Sequence, residues 1–196
     1  MADTGAPWNI PFVEPTDLVR DYPAADEAQA LAVAAGLSAA GNAGIGSNVV
    51  QTVKTDTFST TSQSLTEITG LAVTITPSDS SSKILLLLSL AATNTEVGRS
   101  IRLDITGGNA AAYLGPAEGS RPGSIIGVAA YDGRGTHSIS GVYLDSADTT
   151  SAVTYQVRIA RTAPAGAAVV NRTSSDSDDE QNPRAVSTLT AIEVAA

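Results

Sequence analysis

The sequence contains no cysteine, which removes disulfides, thiol nucleophiles and thiolate zinc sites together. Aromatic residues are scarce at 4%, so a core built on large rings is excluded. Stability must come from close packing of aliphatic side chains or from association of copies. Positive charge is also in short supply: 11 Lys and Arg face 20 Asp and Glu, a net charge of −9 and a pI near 4.4. No Lys/Arg cluster is present to release counterions from a phosphate backbone, so nucleic-acid binding is not expected. Anionic membrane surfaces are disfavoured by the same repulsion. The longest apolar run, Ile84 to Ala92, is far shorter than the roughly 20 residues a membrane helix needs. Membrane insertion is therefore not expected. The opening MADTGAPWNIPFVEP has neither the basic n-region nor the apolar h-region of a secretory signal.

Hydrophobic residues make up 42% of the chain, mostly Ala, Val, Ile and Leu interleaved with Ser, Thr and Gly. That mixture suits many short strands joined by tight turns. A length of 196 residues allows one core of normal size with an attached arm, but hardly two full domains.

Three regions follow in order. Residues 1–22 carry Pro7, Pro11 and Pro15 among Trp8, Ile10, Phe12, Val13 and Tyr22. The prolines prevent a continuous helix or a central strand, leaving an extended arm whose large side chains need a partner to bury them. These five apolar residues are the candidate anchoring contacts. Residues 23–45 begin PAADEAQALAVAAGLSAA, with Pro23 in the first turn and Asp26 and Glu27 near the positive end of the helix dipole. A helix is predicted over 23–40, ended by Gly41, Asn42 and Gly44 and followed by a Gly-rich linker.

Over 46–196 the hydrophobic period changes to two. Strands are predicted at Val49 to Ser59, Thr66 to Pro77, Lys83 to Asn94, Arg99 to Thr106, Ser124 to Asp132, Thr136 to Ser146, Ala152 to Arg161, Ala167 to Thr173 and Ala185 to Ala195. Their number and regular spacing predict a mainly β fold, a jelly-roll-like antiparallel β-sandwich, preceded by the arm and one short helix. The run KILLLLSL has no polar alternation, which predicts a central strand covered on both faces.

From NVVQTVKTDTFSTTS through LTEITGLAVTITPSDSSSKILLLLSLAAT and SGVYLDSADTTSAVTYQVRIA to the closing NRTSSDSDDEQNPRAVSTLTAIEVAA, the sequence resembles the C-terminal module of tail-fibre and other appendage proteins of tailed bacteriophages. Its first 41 residues separately resemble the opening of short phage virion proteins that attach to a tail or capsid. The resemblance implies a structural virion protein, located in the virion and not an enzyme. It would be a homotrimer of jelly rolls, anchored through its N-terminus to another virion protein of the tail or capsid. Its exposed β domain would meet a host surface glycan or protein. Only GNAGIGSN separates the helix from the first strand, so the appendage would be stubby, and a capsid decoration or head-fibre protein is the alternative. A carbohydrate-active enzyme or carbohydrate-binding lectin built on a jelly roll is the alternative from another class. For aromatic platforms its β module has only Phe58, Tyr113, Tyr131, Tyr143 and Tyr155.

Candidate chemistry is sparse. His137 is the single histidine, and no nucleophile elbow accompanies it. Asp176, Asp178, Asp179 and Glu180 supply hard oxygen ligands suited to calcium, without the spacing or glycine of an EF-hand loop. The plain alternative is a solvated acidic loop. Asp104, Asp132, Asp145 and Glu193 lie on or beside strands and read as exposed acids at strand ends, with nothing to pair them as a glycosidase would. GPAEGSRPGS and DGRG read as turns, and Asn171 opens an NRT sequon.

Overall fold

The computed structural model describes residues 2–3, 11–12, 27–36, 45–109, 114–129 and 135–195. The chain divides into two compact units, Met1–Ser47 and Asn48–Ala196. In the first, β1 (Ala2–Asp3) pairs antiparallel with β2 (Pro11–Phe12), Ala2 opposite Phe12. One helix, α1, occupies 27–36, inside the predicted 23–40. Trp8, Ile10, Val13 and Tyr22 lie outside the described residues, and Phe12 is described only through its backbone pairing.

Alternation of apolar and polar residues builds the second unit. Its strands are β3 (Ile45–Lys54, entering from the first unit), β4 (Phe58–Thr60), β5 (Thr66–Ile75), β6 (Lys83–Asn94), β7 (Ser100–Thr106), β8 (Ile126–Ala129), β9 (His137–Ser146), β10 (Val153–Arg161), β11 (Ala168–Val170) and β12 (Ser187–Val194). One sheet has the order β5-β10-β7-β8. In the other, β6 is central: β9 pairs with it along one side, while β12 and then β11 pair with it along the other, backed by β3 and β4. Counting β3 with β4 as the first ribbon and β11 with β12 as the eighth, the sheets read 1-8-3-6 and 2-7-4-5, the strand order of a jelly roll.

The inward positions of both sheets form one aliphatic core. Ile84, Leu86, Leu88 and Leu90 of β6 face Ile101, Leu103 and Ile105 of β7 and Tyr155, Val157 and Ile159 of β10, all buried. The low aromatic content is thus matched by aliphatic packing, with Tyr155 the one large ring fully inside among the described residues. In β5 the alternation slips at Gly70, whose φ is +78°. The register with β10 shifts there, and the Gln156 side-chain amide donates to the carbonyls of Ile68 and Leu71 at 3.0 and 3.2 Å. The bulge lets Ile68 and Leu71, three residues apart, both point inward.

Two strand expectations change. The predicted strand Val49 to Ser59 is two strands, broken at 55–57. And β6 is central but not covered on both faces: one face is fully buried, while Leu85 and Leu87 on the other are only half-buried and Ser89 is exposed. Flanking strands shield the sides of Leu85 and Leu87, and the second sheet lies on the opposite face.

Candidate functional site

The break between β3 and β4 is held from within. Asn171, fully buried and with φ of +60°, ends β11 by turning left-handed, a conformation Asn tolerates better than most residues. Its side-chain amide donates to the Lys54 and Asp56 carbonyls at 2.8 and 3.0 Å. Its oxygen accepts from the Ser187 hydroxyl at 2.6 Å, and that hydroxyl accepts from the Ala91 N–H at 3.1 Å. The backbone N–H of Asn171 donates to the Ala91 carbonyl at 2.8 Å. Four strands are joined by this one amide and its hydroxyl partner. The sequon therefore has no glycan acceptor in the folded chain, because the amide nitrogen is already engaged in the interior.

Three acids expected at the surface are buried instead. Glu193 of β12 accepts from the Ser78 N–H at 2.7 Å and the Ser78 hydroxyl at 2.6 Å, and from the Asn48 amide at 3.4 Å. Burial pushes its carboxyl upward, but these donors outweigh it and hold the group below its usual 4.5. Asp145 of β9 accepts from the buried Tyr155 hydroxyl at 2.7 Å and from the Asn109 N–H at 3.1 Å. Asp104 of β7 forms a two-pronged pair with Arg158 of β10, directly opposite it in register, at 2.8 and 2.5 Å. The Asp104 hydrogen bond raises the Arg158 guanidinium further above its normal range. The three acids stand on different strands with separate partners, and Asp132 lies outside the described residues. A signal for two of them was available: Asp145 continues the inward series Ile139, Gly141, Tyr143, and Glu193 the series Leu189, Ala191.

The Glu193 contacts carry a pH dependence. A carboxyl lowered by folding adds stability above its unfolded value, and this is lost as pH falls through the folded value. Glu193→Gln is expected to cost about 1–3 kcal/mol at pH 7, because an amide cannot accept from every donor that the carboxylate satisfies. The gap from the parent should narrow below pH 4.5 as Glu193 is protonated. Denaturant titrations at pH 7 and pH 3 measure it, and an unchanged gap would refute the assignment.

The acidic loop is braced by its own chain. Asp176, with φ of +54°, accepts from Arg172 at 2.9 Å on one oxygen and from Arg184 at 2.6 Å on the other. Asp179 accepts from the Gln181 N–H and the Asn182 amide at 2.9 and 2.6 Å. Asp178 and Glu180 are exposed. Among the described residues no three His, Asp or Glu side chains gather in a way that could hold a metal ion.

His137 opens β9, paired through its backbone with Ala92, and is half-buried. Of the five aromatics of the β module, Phe58 and Tyr143 pack against the core and Tyr155 lies inside it, while Tyr113 and Tyr131 lie outside the described residues. The three described rings are therefore structural. The turn 115–124 closes on a two-residue bridge between Glu118 and Arg121, whose side chains form an exposed pair at 3.7 Å, worth little to stability. No described helix is long and apolar enough to cross a membrane.

No protein-family model matches this sequence, and no curated protein does. Among solved structures, the chain is similar to that of the infectious bursal disease virus Gt strain, with a TM-score of 0.36, 15% identity and coverage of 76% of this chain and 38% of the other. It is likewise similar to the VP2 subviral particle of infectious bursal disease virus, with a TM-score of 0.33, 16% identity and coverage of 76% and 37%. The chain spans well under half the length of these solved chains, and superpositions this loose transfer neither residues nor roles.

Proposed function

We propose that this chain is a non-enzymatic structural component of a virus particle, a short appendage of a tailed bacteriophage. Its arm attaches to a tail or capsid protein, and its jelly roll is exposed for contact with the host surface. The observation that carries this reading is how the interior polar groups are used. Asn171, Glu193, Asp145 and the Asp104–Arg158 pair each complete a separate structural network. They do not converge on a point where a substrate atom could sit between nucleophile, base and charge stabiliser, as catalysis requires. A sandwich whose buried ionisable groups, among the described residues, serve its own packing is suited to being a building block. The sequence resemblance supports the phage assignment, and the Pro-rich apolar opening supports the arm as anchor. A trimer of such chains belongs to the same proposal.

Deleting residues 1–22 is expected to abolish incorporation into particles while leaving the β unit folded, because Trp8, Ile10, Phe12 and their neighbours supply the docking surface. Quantifying the chain in purified particles by immunoblot measures this. Normal incorporation of the truncated chain would remove the arm from the assignment. Incubation with host polysaccharide bears on the other end: cleavage would establish an enzyme, and retention without cleavage a lectin.

A further inference from the structure

We propose that Arg99, Arg102 and Arg161, gathered at one end of the sandwich, form a binding site for the carboxylate or phosphate groups of an anionic polysaccharide. The proposal rests on the reading of the β unit as the host-facing part, and it names the chemistry that part would meet.

The first observation is which cations have no carboxylate. Lys54, Arg121, Arg158, Arg172 and Arg184 are each paired to an acid, and Lys83 donates to the Ser146 hydroxyl at 2.7 Å. The Lys and Arg that remain among the described residues are Arg99, Arg102 and Arg161. In a chain with 20 acids to 11 bases, arginines without a carboxylate are the exception, and all three stand together.

The second is how the fold collects them from distant parts of the sequence. Three connections meet at this end: 61–65 between β4 and β5, 95–99 between β6 and β7, and 162–167 between β10 and β11. The Arg161 N–H donates to the Ser62 carbonyl at 3.1 Å, and the Thr162 N–H to the Ser100 carbonyl at 3.1 Å. The Thr95 N–H donates to the Ala167 carbonyl at 2.9 Å. Each arginine is therefore within two residues of a backbone bond that ties one connection to another.

The third is the state of the guanidinium groups. Arg102 donates through Nη2 to the Gln63 carbonyl at 3.0 Å, and Arg161 through Nη1 to the Gly166 carbonyl at 2.7 Å. These bonds hold both groups in place and leave most of their five donors unused. The buried Nε of Arg161 has no acceptor among the described residues, so its charge is not compensated from within. Arg99 is exposed and makes no side-chain bond among the described residues. Planar guanidinium forks suit carboxylate and phosphate oxygens, and exposed Gln63 and Thr162 beside them can bond sugar hydroxyls.

Charge selects the occupant. The only acid of the three connections is Glu96, which enters no ion pair among the described residues. The connections at the opposite end carry Asp79, Glu118 and Asp148. A polyanion is therefore repelled over most of a chain of net charge −9 and drawn to this one end.

The test is isothermal titration calorimetry of the full chain at low salt with polygalacturonate, which carries carboxylates, with a phosphomannan, which carries phosphodiesters, and with neutral dextran. Binding of a charged polymer and not of dextran is expected, weakening as salt is raised; which of the two binds identifies the anion. The double variant Arg99→Gln, Arg102→Gln should bind at least about tenfold more weakly, having lost two charged donors. It should keep the parent's circular dichroism, since the one side-chain bond it removes is exposed. The charge-matched control Lys83→Gln, Arg121→Gln, at the opposite end, should bind as the parent does. Failure of both charged polymers to bind, equal binding of dextran, or an unweakened Arg99→Gln, Arg102→Gln variant would overturn the proposal. A control weakened as much would overturn it too, because the attraction would then be diffuse. Particle incorporation is read separately: normal incorporation without polymer binding removes the site and leaves the virion assignment, and the converse removes the assignment and leaves the site.

Discussion

Asn171→Ala is expected to lower the unfolding free energy by about 3–5 kcal/mol, because it leaves buried hydrogen-bonding groups without partners in an interior that water does not reach. The Lys54 carbonyl loses its donor and the Ser187 hydroxyl its acceptor, both on residues that are 2% exposed or less. Each such loss costs about 1–3 kcal/mol. The Asp56 carbonyl also loses a donor, but its residue is exposed and water can replace the amide. Alanine must in addition hold φ at +60°, which costs roughly 1 kcal/mol for a residue with an ordinary Cβ. Asn171→Gly separates the contributions, since glycine adopts that φ freely. It should be milder than alanine by about that 1 kcal/mol while still losing the amide bonds. Urea denaturation of the parent and both variants measures this. A loss under about 1 kcal/mol for alanine would show that the β3–β4 break is held by other contacts.

The second large effect is expected at Gly107, where β7 turns back over β10. A Cβ there would lie 2.2 Å from the Thr154 carbonyl oxygen and 2.9 Å from its carbon, at φ of +111°. Both obstacles are backbone, in a strand paired on both sides, so neither can move aside as a flexible side chain would. Gly107→Ala is therefore expected to cost about 3–5 kcal/mol, combining left-handed strain with overpacking. The displaced turn would also carry away the Asn109 N–H that donates to buried Asp145. Gly119 is the control: φ is +58° and a Cβ would meet nothing within 4 Å, so Gly119→Ala should cost only about 1–2 kcal/mol. Equal losses at the two positions in thermal or urea unfolding would mean that strain alone, and not the close approach to Thr154, governs Gly107.

Strand positions were readable because a half-buried strand writes its orientation into alternate residues. Val153 to Arg161 and Lys83 to Asn94 appear within a residue of where the pattern places them. Departures occur where a side chain far away in sequence overrides the local pattern. The run Val49 to Ser59 reads as one strand, yet Asn171, more than 110 residues later, captures its carbonyls at 54 and 56. Asp145 and Glu193 read as surface acids because composition treats a carboxylate as solvated. In the fold, Tyr155 and Asn109 supply donors to the first, and Ser78 and Asn48 to the second. The acidic loop read as a solvated loop or a set of calcium ligands; the local pattern gave no sign that Arg172 and Arg184, four residues before and eight after, would both pair with Asp176.

The sequence by itself determined the class of the molecule. Absent cysteine, few aromatics, an acidic balance and a two-residue hydrophobic period leave a β-sandwich with an aliphatic core, because these are local and compositional properties that each segment carries alone. Tertiary structure decided the jelly-roll order, the burial of Glu193, Asp145 and Asn171, and the half-buried outer face of the sheet around β6. The physical reason is that a buried polar group is tolerable only when a partner from another strand meets it, and that meeting exists only once the chain has closed on itself.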